Sequence, residues 1–243
     1  MSIQIEPTPS RRDAPHARTR SVRSTPRRLL WIGLAGIAAL VLGAGLLYAA
    51  TLVTQEVSTA RRTFDVARVD SLYISSLAGD VEVVVEERAD IAVDSRLSSA
   101  LGYEVASTAG VSGRSLVIAS RCDLRLFATR CAASHTVAIP SDVAIDLELE
   151  TTAGDITVDG FSGETATIET TAGNIVFDTS RAPRRLESRT AAGDIRLTVP
   201  DEVYRVATGS TIGEAEVEVR HDRDADRVIS AETTVGRILV ARR

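Results

Sequence analysis

Five residues that each follow a glycine, Asp80, Asp155, Asn174, Asp194 and Glu214, recur along the chain and are of types that could do chemistry. Drawn into one column, their oxygens could coordinate calcium, or two of the carboxyls could act as acid and base on a polysaccharide. The pattern argues against both uses. Asn174 interrupts the row, Arg237 takes the next place after Glu214, and the glycine-rich nonapeptide of calcium-binding β-rolls is absent. Solvated Gly-Asp turns account for the same residues without a ligand, because Asp and Asn bond readily to the backbone beside a turn glycine. No catalytic residue, cofactor or metal is therefore assigned.

The other reactive side chains are few. Cys122 and Cys131 are the only cysteines, with eight residues between them in RCDLRLFATRC. In an oxidising compartment such a pair is expected to form a structural disulfide. A metal site would want more Cys or His, and a redox pair would prefer CxxC spacing. His135 lies close by, but two thiols and one imidazole do not close a zinc site. His16, His135 and His221 belong to no nucleophile motif, and the separated glycines form no phosphate loop.

The elements that would position these residues are written in a repeat. Gly79, Gly154, Gly173, Gly193, Gly213 and Gly236 each sit inside one phrase, clearest in TTAGDITV, TTAGNIVF and TAAGDIRL. The last five are 19, 20, 20 and 23 residues apart, a period that signals a stacked repeat. Residues seven, five, three and one before each glycine share parity and so share one face of a strand. That parity puts Thr151, Thr170 and Thr190 on the face of Leu147, Ala166 and Leu186, as an internal hydroxyl ladder. Two and four residues after the glycine, pairs such as Ile156 with Val158 and Ile175 with Phe177 resume on one face. Glycine turns the chain between them, since it adopts positive φ cheaply.

No stretch in this region repeats apolar residues at 3.6 spacing, so the expected fold class is all-β: a β-solenoid or β-roll of about 20-residue repeats. The stretch from 84 to 144 is less regular. Tyr103 to Gly110 fits the first half of the phrase and Leu116 with Ile118 the displaced second half, which makes it a degenerate coil. Pro140 and Pro200 each close a strand.

Ahead of the repeats, Leu29 to Val53 is 25 residues without a charge, long enough at ~1.5 Å per residue to span a bilayer. It is too long for the apolar part of a signal peptide, and no cysteine near its end offers a lipoprotein anchor. Arg11, Arg12, Arg18, Arg20, Arg23, Arg27 and Arg28 precede it against only Glu6 and Asp13. By the positive-inside rule the N-terminus stays in the cytoplasm and the remainder is exported at the plasma membrane. The expected organisation is a disordered basic tail over 1–28, a transmembrane helix over 29–53, a polar spacer over 54–63 and an extracytoplasmic β-repeat domain over 64–243. From Thr54 onward the chain holds 31 acids against 21 arginines, which excludes nucleic acid as the expected partner.

The phrases TTAGDITVDGFSG, TIETTAGNIVFD and SRTAAGDIRLTVP behind a single membrane helix resemble a bacterial family of candidate adhesins of unknown function, also described as toastrack domains. The resemblance covers roughly Phe64 to Val240. It implies a β-repeat domain displayed outside the membrane, in some relatives alongside envelope-stress systems, and no catalytic residues. The expected function is a non-enzymatic, membrane-anchored binding or scaffold module that meets an envelope protein or surface ligand. A carbohydrate-active β-helix enzyme using the turn carboxylates, and a self-associating structural module, stand as alternatives.

Overall fold

The computed structural model describes residues 40–43, 45, 55–100, 105–122 and 131–243, the side chains of 55, 56, 100 and 122 excepted. The chain divides into two units, Met1–Ala49 and Ala50–Arg243. In the first, the five described residues are helical, with Leu40, Val41 and Leu42 exposed. Among the described residues no helix is long and apolar enough to cross a membrane. The rest of the expected span over 29–53, and the tail over 1–28, lie outside the described residues.

In the second unit the alternating sequence forms strands, which the described residues assemble into two nine-stranded sheets. In spatial order the first sheet is β1 (Gln55–Asp65), β4 (Asp90–Ala100), β7 (Cys131–Pro140), β3 (Val81–Glu86), β9 (Ile156–Phe161), β11 (Ile175–Thr179), β13 (Ile195–Val199), β18 (Ile238–Arg242) and β15 (Ala215–Val217). The second is β16 (Arg220–His221), β14 (Val203–Ile212), β17 (Val228–Val235), β12 (Arg185–Ala192), β10 (Thr165–Ala172), β8 (Asp146–Ala153), β2 (Ser71–Ala78), β6 (Ser115–Cys122) and β5 (Val105–Ser112). Each turn glycine joins a strand of the second sheet to one of the first, as in β10–Gly173–β11, and spatially neighbouring coils pair in parallel.

Register is set by the phrase itself. Leu147, Ala166, Leu186 and Ile229 stand side by side across β8, β10, β12 and β17, and Ile156, Ile175, Ile195 and Ile238 do the same across the other sheet. All eight are buried, none more than 3% exposed. Sealing such residues away from water is worth roughly 1.5–3 kcal/mol apiece for the larger side chains. Phe161 and Phe177 add a tilted ring contact with centroids 5.3 Å apart.

The coils do not stack in chain order. β17–β18 inserts between β12–β13 and β14–β15, so the coil that turns at Gly236 lies inside the one that turns at Gly213. At the opposite end β6–β7 lies outside β2–β3, although it follows it in sequence.

Two sequence expectations are corrected. The polar stretch over 54–63 is no spacer: its described residues belong to β1, which pairs antiparallel with β4 along eleven positions from Gln55↔Ala100 to Asp65↔Asp90. It shows no apolar alternation because it is an edge strand whose described side chains are exposed except the partly buried Phe64. Main-chain bonding and the Arg61–Asp94 ion pair hold it. The region around Gly110 is not a degenerate coil either. β5 and β6 form an antiparallel hairpin within one sheet, turning at Gly113 with φ 65°, and Leu116 and Ile118 open a true coil through β6.

Candidate functional site

The residues that follow the turn glycines do form a column, and one side-chain oxygen of each of Asp80, Asp155, Asn174 and Asp194 accepts a backbone N–H of the next coil. Asp80 Oδ1 accepts the Asp155 N–H at 3.0 Å, Asp155 Oδ1 that of Asn174 at 2.7 Å, Asn174 Oδ1 that of Asp194 at 2.9 Å, and Asp194 Oδ1 that of Arg237 at 2.8 Å. Each side chain thus caps an amide one rung along the stack. Backbone and side-chain hydrogen bonds from Arg237 hold the Asp194 carboxyl below the usual carboxylate range. An amide at Asn174 serves as well as a carboxylate because the task is to accept one N–H. Glu214 belongs to the outermost coil, beyond Arg237. Among the described residues, no group of three or more His, Cys, Asp or Glu is placed to hold a metal ion.

The hydroxyl row three residues before each glycine points inward, as parity requires. Thr170, Thr190, Thr233 and Ser210 donate to the carbonyls of Gly154, Gly173, Gly193 and Gly236 at 3.3, 3.1, 3.1 and 2.9 Å. Ser76 bonds Ala133 O at 3.1 Å, while the buried Thr151 hydroxyl has no partner among the described residues. Glycine is required beside this row for a second reason besides its positive φ. A Cβ at Gly193, where φ is 153°, would overlap the Gly173 carbonyl.

At the β6–β7 coil the ladder meets an imidazole. His135 pairs in register with Val81 and so occupies the inward place that Ile156 and Ile175 fill in later coils. It is 1% exposed, with Nδ1 3.0 Å from Ser95 Oγ and Nε2 3.1 Å from Ser120 Oγ. Ser120 Oγ in turn donates to Ser76 Oγ at 3.2 Å. Burial pushes the His135 pKa down from its ordinary value. The sequence signal for this network is the parity of His135 with Val137 and Ile139, which turns the imidazole inward. His221 is exposed, and its Nδ1 accepts the Val206 N–H at 3.1 Å. No free cysteine occurs among the described residues. Cys131 opens β7, while the Cys122 side chain lies outside the described residues.

The outward rows of the second sheet present further polar side chains in register. Four residues before the turn glycines the row reads Ser75, Glu150, Glu169, Arg189, Glu232 and Gly209 in spatial order. Two residues before them, Thr152, Thr171, Thr234 and Thr211 present hydroxyls, interrupted by Ala191. These rows line a groove of about 890 Å³. Arg189 spans it, Nη1 2.9 Å from Glu169 Oε1 and Nε 3.4 Å from Glu232 Oε2, and both carboxylates push its pKa up. Tyr73 donates its hydroxyl to Glu150 at 3.0 Å, and its pKa is raised by burial and by that carboxylate. Hydroxyls and charges repeated at the ~4.8 Å strand spacing suit an extended polymer lying along the stack.

The profile of the family described as Toastrack DUF4097 matches residues 67–237. The fold is similar to that of a candidate cell adhesion protein from Clostridium sporogenes at 8% identity and a TM-score of 0.54, covering 77% of this chain and 100% of that one. A candidate adhesin from Bacteroides fragilis is similar at 10% identity and a TM-score of 0.34, covering 75% of this chain and 97% of that one. No curated protein matches the sequence significantly.

Proposed function

The chain belongs to the Toastrack DUF4097 family, and on that premise we propose that it is a membrane-anchored, extracytoplasmic module that binds an envelope protein or surface ligand and performs no covalent chemistry. One observation carries this: the recurrent polar residues are spent on capping amides and carbonyls between coils, while the outward rows are left in register along a groove. Such an arrangement makes a rigid display surface. Adhesion, the role named for the Clostridium sporogenes protein, is one form of that binding, and sensing of envelope stress is another.

The anchor rests on the uncharged run from Leu29 to Val53 and the arginines before it, which direct the β-repeat domain outward. In that oxidising setting Cys122 and Cys131 form a disulfide. Maleimide labelling of the native protein should be negligible until reductant is added, and ready labelling without reductant refutes the bond.

The function is tested by crosslinking and affinity capture of the anchored protein from its native membrane, before and after envelope stress. A partner whose recovery falls when Arg189→Glu reverses the centre of the groove is the expected result; recovery of no partner in either state overturns the proposal. The enzymatic alternative is addressed by Asp155→Ala and Asp194→Ala. Binding should persist with a modest loss of stability, whereas a glycan cleavage that disappears with either change would establish an enzyme.

A further inference from the structure

The two long edges of the stack differ in character. Among the described residues of 55–243, the four most exposed large hydrophobic side chains are Ile212, Val57, Val235 and Leu77, at 65%, 56%, 46% and 45%, and no other exceeds 40%. All four lie on the side where the turn glycines cross between the sheets. One residue before those glycines, Ala78, Ala153, Ala172, Ala192, Val235 and Ile212 stand side by side over six strands. Parity would turn this row inward, but the turn opens it to solvent from Ala153 to Ile212. The opposite edge is charged, with Glu87, Asp142, Arg184, Asp201 and Arg223 exposed in its connections. A contiguous apolar edge set against a charged one marks an interaction surface.

The chain enters the sheets from the same side. Ala60, Ser95, His135 and Val81 are level across β1, β4, β7 and β3, and β1 runs in the direction of β3. Gln55, at the start of β1, therefore lies on the turn side, and Val57 with it. The uncharged run ends at Val53, two positions before Gln55. We propose that the turn edge rests on the lipid surface of the membrane, with Leu77, Val235 and Ile212 entering the interface. This placement rests on the anchor proposed above. Thr59 is level with Asp80, so β1 overhangs the turn column by four residues. That overhang is ~13 Å and the six spacings from β7 to β15 are ~29 Å, so a tilt of about 25° lets both touch one plane. Apolar contact rather than charge drives the docking, because the column beside the row carries Asp80, Asp155 and Asp194, and its Arg237 is paired to Asp194.

Quenching of single tryptophans by brominated lipid, in the full chain reconstituted into phosphatidylcholine vesicles, tests the placement. Trp31 is the only native tryptophan, and Trp31→Phe supplies the silent background. Ile212→Trp, Val235→Trp and Leu77→Trp should each lose fluorescence to the brominated lipid and shift to the blue. Val203→Trp, at the far end of β14 on the opposite edge, should do neither. All four positions are exposed, and an unchanged melting curve confirms that the variants fold. A chain that floats with the vesicles but is no more quenched at 212 than at 203 overturns the lipid contact and leaves the anchor standing. A chain that does not float with them removes the anchor and the contact together. A blue shift at 212 that fades as the chain is diluted into more lipid gives the edge to a second copy and also overturns the proposal.

Discussion

Two threonines of identical type and place in the repeat separate the value of a hydrogen bond from that of a buried methyl. Thr190 and Thr151 are 5% and 6% exposed and occupy the same inward position, but the Thr190 hydroxyl donates to Gly173 O while that of Thr151 has no partner among the described residues. Replacing threonine by valine keeps the shape and removes the donor. Thr190→Val should therefore cost ~1–2 kcal/mol, since it strands a carbonyl as well as losing a bond. Thr151→Val should be neutral or slightly stabilising. Urea denaturation of the two variants measures the contrast, and equal losses would show that the ladder contributes packing alone. That the threonines face inward was legible from parity in the sequence. That one of them would lack a partner was not, because it depends on how two neighbouring coils settle against each other by tenths of an ångström.

At the scale of elements, β4, β6 and β7 are tied together through His135. Its neutral ring is satisfied by Ser95 from β4 and Ser120 from β6, and burial holds its pKa below the ordinary 6.5. A lowered pKa means that the unfolded chain binds a proton more readily than the folded one. The resulting stabilisation is complete above about pH 6.5 and is lost as pH falls from there through the folded-state value, with a limiting slope of ~1.4 kcal/mol per pH unit for one proton. Melting temperatures of the native chain and of His135→Val, followed from pH 8 to pH 5, should converge as the medium is acidified. Parallel curves would remove His135 as the source. The β-repeat elements themselves were readable because each turn glycine fixes a phase on both sides. β1 was not, since an exposed edge strand is held by the main-chain bonds of its partner and carries no apolar alternation to detect.

For the whole molecule the decisive fact is the exchange of neighbours, and the sequence could not have disclosed it. Every coil offers nearly the same inner residues, so Ile229 meets Leu186 on one side and Val206 on the other as readily as coils in chain order would meet. The exchange nevertheless changes what the C-terminus does. In a stack ordered by sequence, removing the last coil would only peel away an end. Here β17 and β18 are the sole strands joining β14–β15 to the rest of their sheets among the described residues. A chain truncated after Arg227 must therefore uncover β12 and β13 and also release a coil that is still present. Limited proteolysis should cut the truncated chain within 201–227 at protease levels that leave the intact chain uncut there, and its thermal unfolding should lose cooperativity. If 201–227 stayed protected after the truncation, β14–β15 would be able to dock directly on β12–β13, and chain order alone would suffice to build the stack.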